Sequence, residues 1–130
     1  MSFRIVRARG IVVAVFALSG CAASPFAADD LKVVTGDKID PFGAREQCMR
    51  LHAGDRIEFT FVSTEAVDFN VSYREGKTVV MPLAREKVRE DAGILPIALA
   101  NDYCLTWEAG PAGAVIDYRI RFKRNAVSAD

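Results

Sequence analysis

The chain predicts an all-β protein: a single antiparallel β-sandwich of about seven or eight short strands behind an N-terminal signal peptide. Three observations carry this. Segments of strand length alternate apolar and polar residues with period two. Turn residues recur between them at short intervals. The 130 residues, about half apolar and a quarter charged, suit one globular domain and leave no room for a second.

In order, the firm strands are Ile57-Phe59-Phe61, Val67-Phe69-Val71-Tyr73, Tyr103-Leu105-Trp107 and Ile116-Tyr118-Ile120-Phe122, each alternating with polar neighbours. Weaker strands are Lys32–Val34, Gln47–Leu51, Lys77–Met81 and Ile94–Leu99, the last an edge or bulged strand because it contains Pro96. Turns are expected at Gly36-Asp37, Asp40-Pro41, Phe42-Gly43, Ala53-Gly54-Asp55, Glu75-Gly76-Lys77, Ala92-Gly93, Asn101-Asp102 and Gly110–Gly113. Leu83–Asp91 (LAREKVRED) reads either as the one helix or as a charged connection between strands. Inward parity assigns Phe59, Phe61, Phe69, Tyr73, Tyr103, Trp107, Tyr118 and Phe122 to the core.

The first 20 residues read as an export signal. Arg4, Arg7 and Arg9 precede an eight-residue apolar run, Ile11 to Leu18, too short to span a bilayer. Leu18-Ser19-Gly20-Cys21 then resembles the lipobox of bacterial lipoproteins. That resemblance implies acylation of Cys21 and cleavage before it. With Ala22 rather than aspartate next, it also implies an outer-membrane anchor facing the periplasm. The competing expectation is ordinary signal cleavage. The division is therefore a signal peptide at 1–20, a tether at 21–30, a sandwich at 31–124 and a disordered tail at 125–130. Without the leader's three arginines, 17 − 3 = 14 bases face 17 acids, which argues against nucleic acid as a partner.

There are three cysteines. With Cys21 assigned to lipid, Cys48 and Cys104 remain, 56 positions apart, as a disulfide pair suited to an oxidising compartment. The alternatives are two free thiols or a metal pair. Parity places both off the core face, where they would staple neighbouring strands.

The segment from Cys48 to Phe122 resembles the GOLD domain, the β-sandwich of emp24/gp25L-type cargo receptors. The matching pieces are Cys48-Met49, Gly54–Phe59, Val67–Val71 with the Gly76-Lys77 turn, Asn101–Glu108, and Asp117–Ile120. The resemblance implies a module that binds proteins or lipids, and an early cysteine joined to one in the tyrosine-bearing strand. No coiled coil follows, and Ala109-Gly110 replaces the family's asparagine, so coat-dependent trafficking is not implied.

Catalytic motifs are wanting. His52, the sole histidine, stands before a Gly54-Asp55 turn as an exposed side chain would, and Glu90-Asp91 lie among Arg85, Lys87 and Arg89. Cys48, Met49, His52 and Met81 are the soft donors a copper(I) site would use. Tyr73, Tyr103 and Trp107 would stack a sugar if exposed. The expectation is a non-catalytic envelope lipoprotein with no cofactor and no metal. It would be held to the membrane by its N-terminal lipid and would serve an envelope protein partner as an interaction or structural module. The alternatives are a glycan or small-ligand binder and a periplasmic copper-handling protein.

Overall fold

A computed structural model describes residues 29–125. Among them run six strands and no helix: β1 (Asp29–Ile39), β2 (Ala44–Leu51), β3 (Arg56–Glu75), β4 (Thr78–Pro96), β5 (Asn101–Ala109) and β6 (Ala114–Lys123). All pairings are antiparallel. The leader, Cys21 and most of the expected tether and tail lie outside the described residues.

The two longest strands organise the rest. β3 pairs with β4 along nearly its whole length. On its other edge β3 changes partner: residues 56–63 pair with β6, and residues 67–72 pair with β5. β1 extends the first set and β2 the second. One hairpin thus belongs to two four-stranded layers, β4-β3-β6-β1 and β4-β3-β5-β2.

The hairpin folds over between the layers. Between Val62 and Val67, four residues of β3 face only Arg89 of β4. The ring centroids of Phe59 and Phe69 are 4.9 Å apart, and those of Phe61 and Phe69 are 4.8 Å apart. In a straight strand, ten residues would separate the first pair by about 33 Å. Polar contacts hold the bend. The Ser63 hydroxyl donates to the Glu65 carbonyl at 2.6 Å, the Val115 N–H donates to Thr64 Oγ1 at 3.0 Å, and Arg89 donates to the Thr64 carbonyl at 3.1 Å.

The core fills the space between the layers. Trp107 of the second layer stacks on Tyr118 of the first, with centroids 4.5 Å apart, and Gln47 Nε2 donates to the Tyr118 hydroxyl at 2.6 Å. Of the eight aromatics expected inside, seven are buried, and Tyr73 is half-buried against Tyr103. Each large apolar side chain so buried stabilises by about 1.5–3 kcal/mol.

Several expectations need correcting. Two pairs of expected short strands are single long ones, so six strands replace seven or eight. Leu83–Asp91 is neither helix nor connection but the middle of β4. Its periodicity is broken by a bulge: Leu83 and Val88, five apart, face Val71 and Val67, four apart, and Lys87 takes a φ of 54°. Gly36-Asp37 is a bulge inside β1 rather than a turn, with Gly36 at a φ of 68° and its N–H bonded to Asp117 Oδ1 at 2.7 Å. Ala92-Gly93 lies within β4, where a Cβ on Gly93 would stand 3.1 Å from the Phe59 ring. Asn101-Asp102 opens β5. Asp29 and Asp30, expected in the tether, begin β1.

The β5–β6 turn needs glycine at one point. Gly113 has a φ of 71°, and a Cβ there would lie 2.7 Å from the Ile39 carbonyl oxygen. Gly113→Ala is therefore expected to lower unfolding free energy by roughly 2 kcal/mol or more in urea titrations.

Candidate functional site

The chemistry-bearing side chains separate into a disulfide face, a turn lock, two core tyrosines and an exposed loop tip. Cys21 lies outside the described residues.

Cys48 and Cys104 are directly opposed across the β2–β5 ladder, and their sulfurs form a disulfide with a Cα–Cα separation of 4.0 Å. Both point outward from the second layer, as parity predicts, because their neighbours Met49, Tyr103 and Leu105 point in. A bridge closing 56 positions contributes roughly 4 kcal/mol by the chain-entropy model. Glu46 has a carboxylate oxygen within 4.8 Å of both sulfurs. Those sulfurs are bonded to each other, so Cys48 offers no thiolate to a soft metal.

His52 is exposed in the β2–β3 turn. Its Nδ1 stands 3.8 Å from Oδ2 of Asp55, which is wholly buried. The carboxylate is committed to the backbone. Oδ2 accepts the His52 N–H and Oδ1 accepts the Asn125 N–H, each at 2.8 Å. The peptide of Asp55 also accepts the Ile97 N–H at 2.9 Å and donates to the His52 carbonyl at 3.0 Å. One aspartate therefore ties together the β2–β3 turn, the end of β4 and the chain leaving β6. The Gly54-Asp55 pair reads in sequence only as a turn; a carboxylate able to reach back to the N–H three residues before it, as in a capping box, is the signal that would have marked it.

Among the aromatic residues considered for ligand stacking, Trp107 and Tyr103 are buried. The Trp107 Nε1 meets no acceptor among the described residues. Burial pushes both core tyrosines above their ordinary value of 10.0, helped by Tyr73 and Glu75 at Tyr103 and by Asp37 at Tyr118.

Phe42, which the sequence placed in a turn, is the most exposed large apolar residue among the described residues, at 76%. It occupies the left-handed region with a φ of 59°, which costs a non-glycine residue about 1 kcal/mol. The bond from its N–H to the Gly110 carbonyl, 3.0 Å, pins the loop against the β5–β6 turn. The ring gains no burial in return.

The outer faces of the two layers differ. Opposed residues share a face, so the second layer presents Asp68, Glu108, Glu46 and Asp102 with Arg50 and Arg74 around the disulfide, and Lys87 and Arg89 of β4 line a pocket with Asp68 and Glu108. The first presents three rows: Pro96-Arg56-Lys123, Ile94-Glu58-Arg121-Leu31 and Ala92-Thr60-Arg119-Val33. A fourth row holds Glu90, Val62 and Asp117. Leu31, Val33, Val62 and Ile94 are all exposed there. No protein-family model matches the chain, and no curated protein sequence matches it at a significant level.

Two outcomes are expected. Asp55→Ala should cost about 3 kcal/mol in chemical unfolding, because two backbone donors lose a charged acceptor, whereas His52→Ala should change stability by less than about 0.5 kcal/mol. The tyrosines set an alkaline limit. The unfolded chain releases their protons near pH 10 and the folded chain holds them higher, so stability present below pH 10 is lost as pH rises through the elevated folded values. Urea midpoints should fall above about pH 10, and fall less in Tyr118→Phe.

Proposed function

We propose that this protein is a non-catalytic lipoprotein of the bacterial envelope, anchored in the outer membrane through an acylated Cys21 and facing the periplasm. Its sandwich, GOLD-like in this reading, serves as a protein-interaction or structural module. The observation that carries the reading is Phe42: its ring is held exposed on left-handed backbone and is little used in packing the isolated fold. Retained strain of this kind fits a residue presented to a partner.

Other features support the reading. The disulfide suits an oxidising compartment. Asp55, beside the sole histidine, is spent on the backbone of the turn. The loss of Cys48 as a thiolate weakens the copper alternative, and the burial of Trp107 and Tyr103 weakens the glycan alternative.

The anchoring is tested by the intact mass of the protein extracted from membranes without reductant. The expected mass begins at Cys21, carries acyl chains and lacks two hydrogens for the bridge. A soluble, unacylated chain beginning near Asp29 with two free thiols would overturn the reading. For the partner, a photocrosslinking residue at position 42 should give one discrete adduct in native membranes, and the same residue at the Lys77 turn none. Identical patterns at both positions would remove Phe42 as a contact.

A further inference from the structure

The outer face of the first layer mixes exposed aliphatics with cations in an ordered way. Its first three rows hold Arg56, Lys123, Arg119 and Arg121 with Glu58, alongside the exposed Leu31, Val33 and Ile94. Glu58 already bridges two of the cations, Arg56 at 3.0 Å and Arg121 at 4.0 Å. A shallow groove of about 450 Å³ runs across these rows between Ile94, Ala92, Thr60 and the two arginines 119 and 121. A second depression, about 210 Å³, adjoins it and shares Thr60 and Arg119. The remaining acids of this face, Glu90 and Asp117, sit in the fourth row at the far end.

The basic end is also the end where β1 begins. Asp29 pairs with Lys123, Leu31 with Arg121 and Val33 with Arg119. Cys21 is eight residues before Asp29, so a chain anchored there holds this end within about 27 Å of its lipid. The opposite outer face has no such cationic excess: Lys87 and Arg89 stand beside Glu65, Asp68 and Glu108, and Glu46 and Asp102 accompany Arg50 and Arg74.

We infer that the outer face of the β4-β3-β6-β1 layer is a membrane-docking surface that lies on anionic phospholipid, with its arginines on the phosphates and Leu31, Val33 and Ile94 at the headgroup boundary. This rests on the lipoprotein reading above. The anchor makes the contact intramolecular, so a face too weakly attractive to bind lipid alone is enough to orient the domain. Each cation near an anionic surface strengthens such a contact by roughly fivefold, and salt screens it.

The test uses the acylated protein purified from membranes, reconstituted into phosphatidylethanolamine vesicles with or without phosphatidylglycerol. Thr60→Cys places an environment-sensitive thiol dye on the proposed face, and Ala44→Cys places it on the opposite one. The expected result is a blue shift and roughly fivefold lower iodide quenching at position 60 only when phosphatidylglycerol is present. Arg119→Glu or Ile94→Glu should abolish that protection while leaving the dye at position 44 unchanged. Equal quenching at position 60 in both lipids, or equal protection at both positions, would overturn the inference. So would protection at position 60 in detergent without lipid, accompanied by a dimer mass, which would make a second copy the occupant. A protein without acyl chains would fail the lipoprotein reading and this inference with it, whereas an acylated protein with a water-exposed dye at position 60 fails this inference alone.

Discussion

The fold depends on the bend in one hairpin. A strand of 20 residues laid flat would be about 66 Å long and would expose the face that carries Ile57, Phe59, Phe61, Val67, Phe69 and Val71. Folded at residues 63–66, the same strand turns that face inward on itself. The partner change from β6 to β5 then follows, because each half offers its free edge to a different strand. The rings across the bend supply the attraction. Ser63 and Arg89 bind the Glu65 and Thr64 carbonyls at the break in the β3–β4 ladder, and Thr64 Oγ1 accepts the Val115 N–H of β6.

Closing the sandwich in this way decides what remains for function. The aromatics are consumed by the core, the sulfurs of Cys48 and Cys104 by a bridge between β2 and β5, and Asp55 by the junction of three segments. What is left outside is surface: a strained phenylalanine at one end, a face of mixed charge over the disulfide, and a basic aliphatic face on the layer that receives the N-terminal chain. β4 borders both layers and is an exposed edge along its length. Its two extra residues, its prolines at 82 and 96 and its run of charges are the means by which edges resist pairing with other chains.

How much of this could be read beforehand follows from range. Alternation in Ile57-Phe59-Phe61 or Ile116–Phe122 reflects the pleat, a local property, so those strands and their buried faces were legible. The cysteine parity was legible for the same reason. The bend was not, because Ser63-Thr64-Glu65-Ala66 has the composition of a loop, and that the ladder with β4 resumes at Val67 depends on pairing with Val88, 21 positions on. β4 misled because a bulge at Lys87 shifts its parity midway and an edge strand tolerates charge on both faces. Gly36 and Gly93 read as turns although each serves a strand, one as a bulge and one to admit the Phe59 ring. The Asp55 lock needed Asn125, 70 positions away, to be recognised.

The most direct test of the account is a map of nuclear Overhauser contacts among the aromatic rings in solution. A folded hairpin predicts cross peaks joining Phe69 to both Phe59 and Phe61, and Trp107 to Tyr118, at centroid separations between 4.5 and 4.9 Å. Their absence, with β3 still paired to β4 along its length, would mean a straight hairpin with those phenylalanines about 26–33 Å apart. The two-layer core, and every surface assigned from it, would then be wrong.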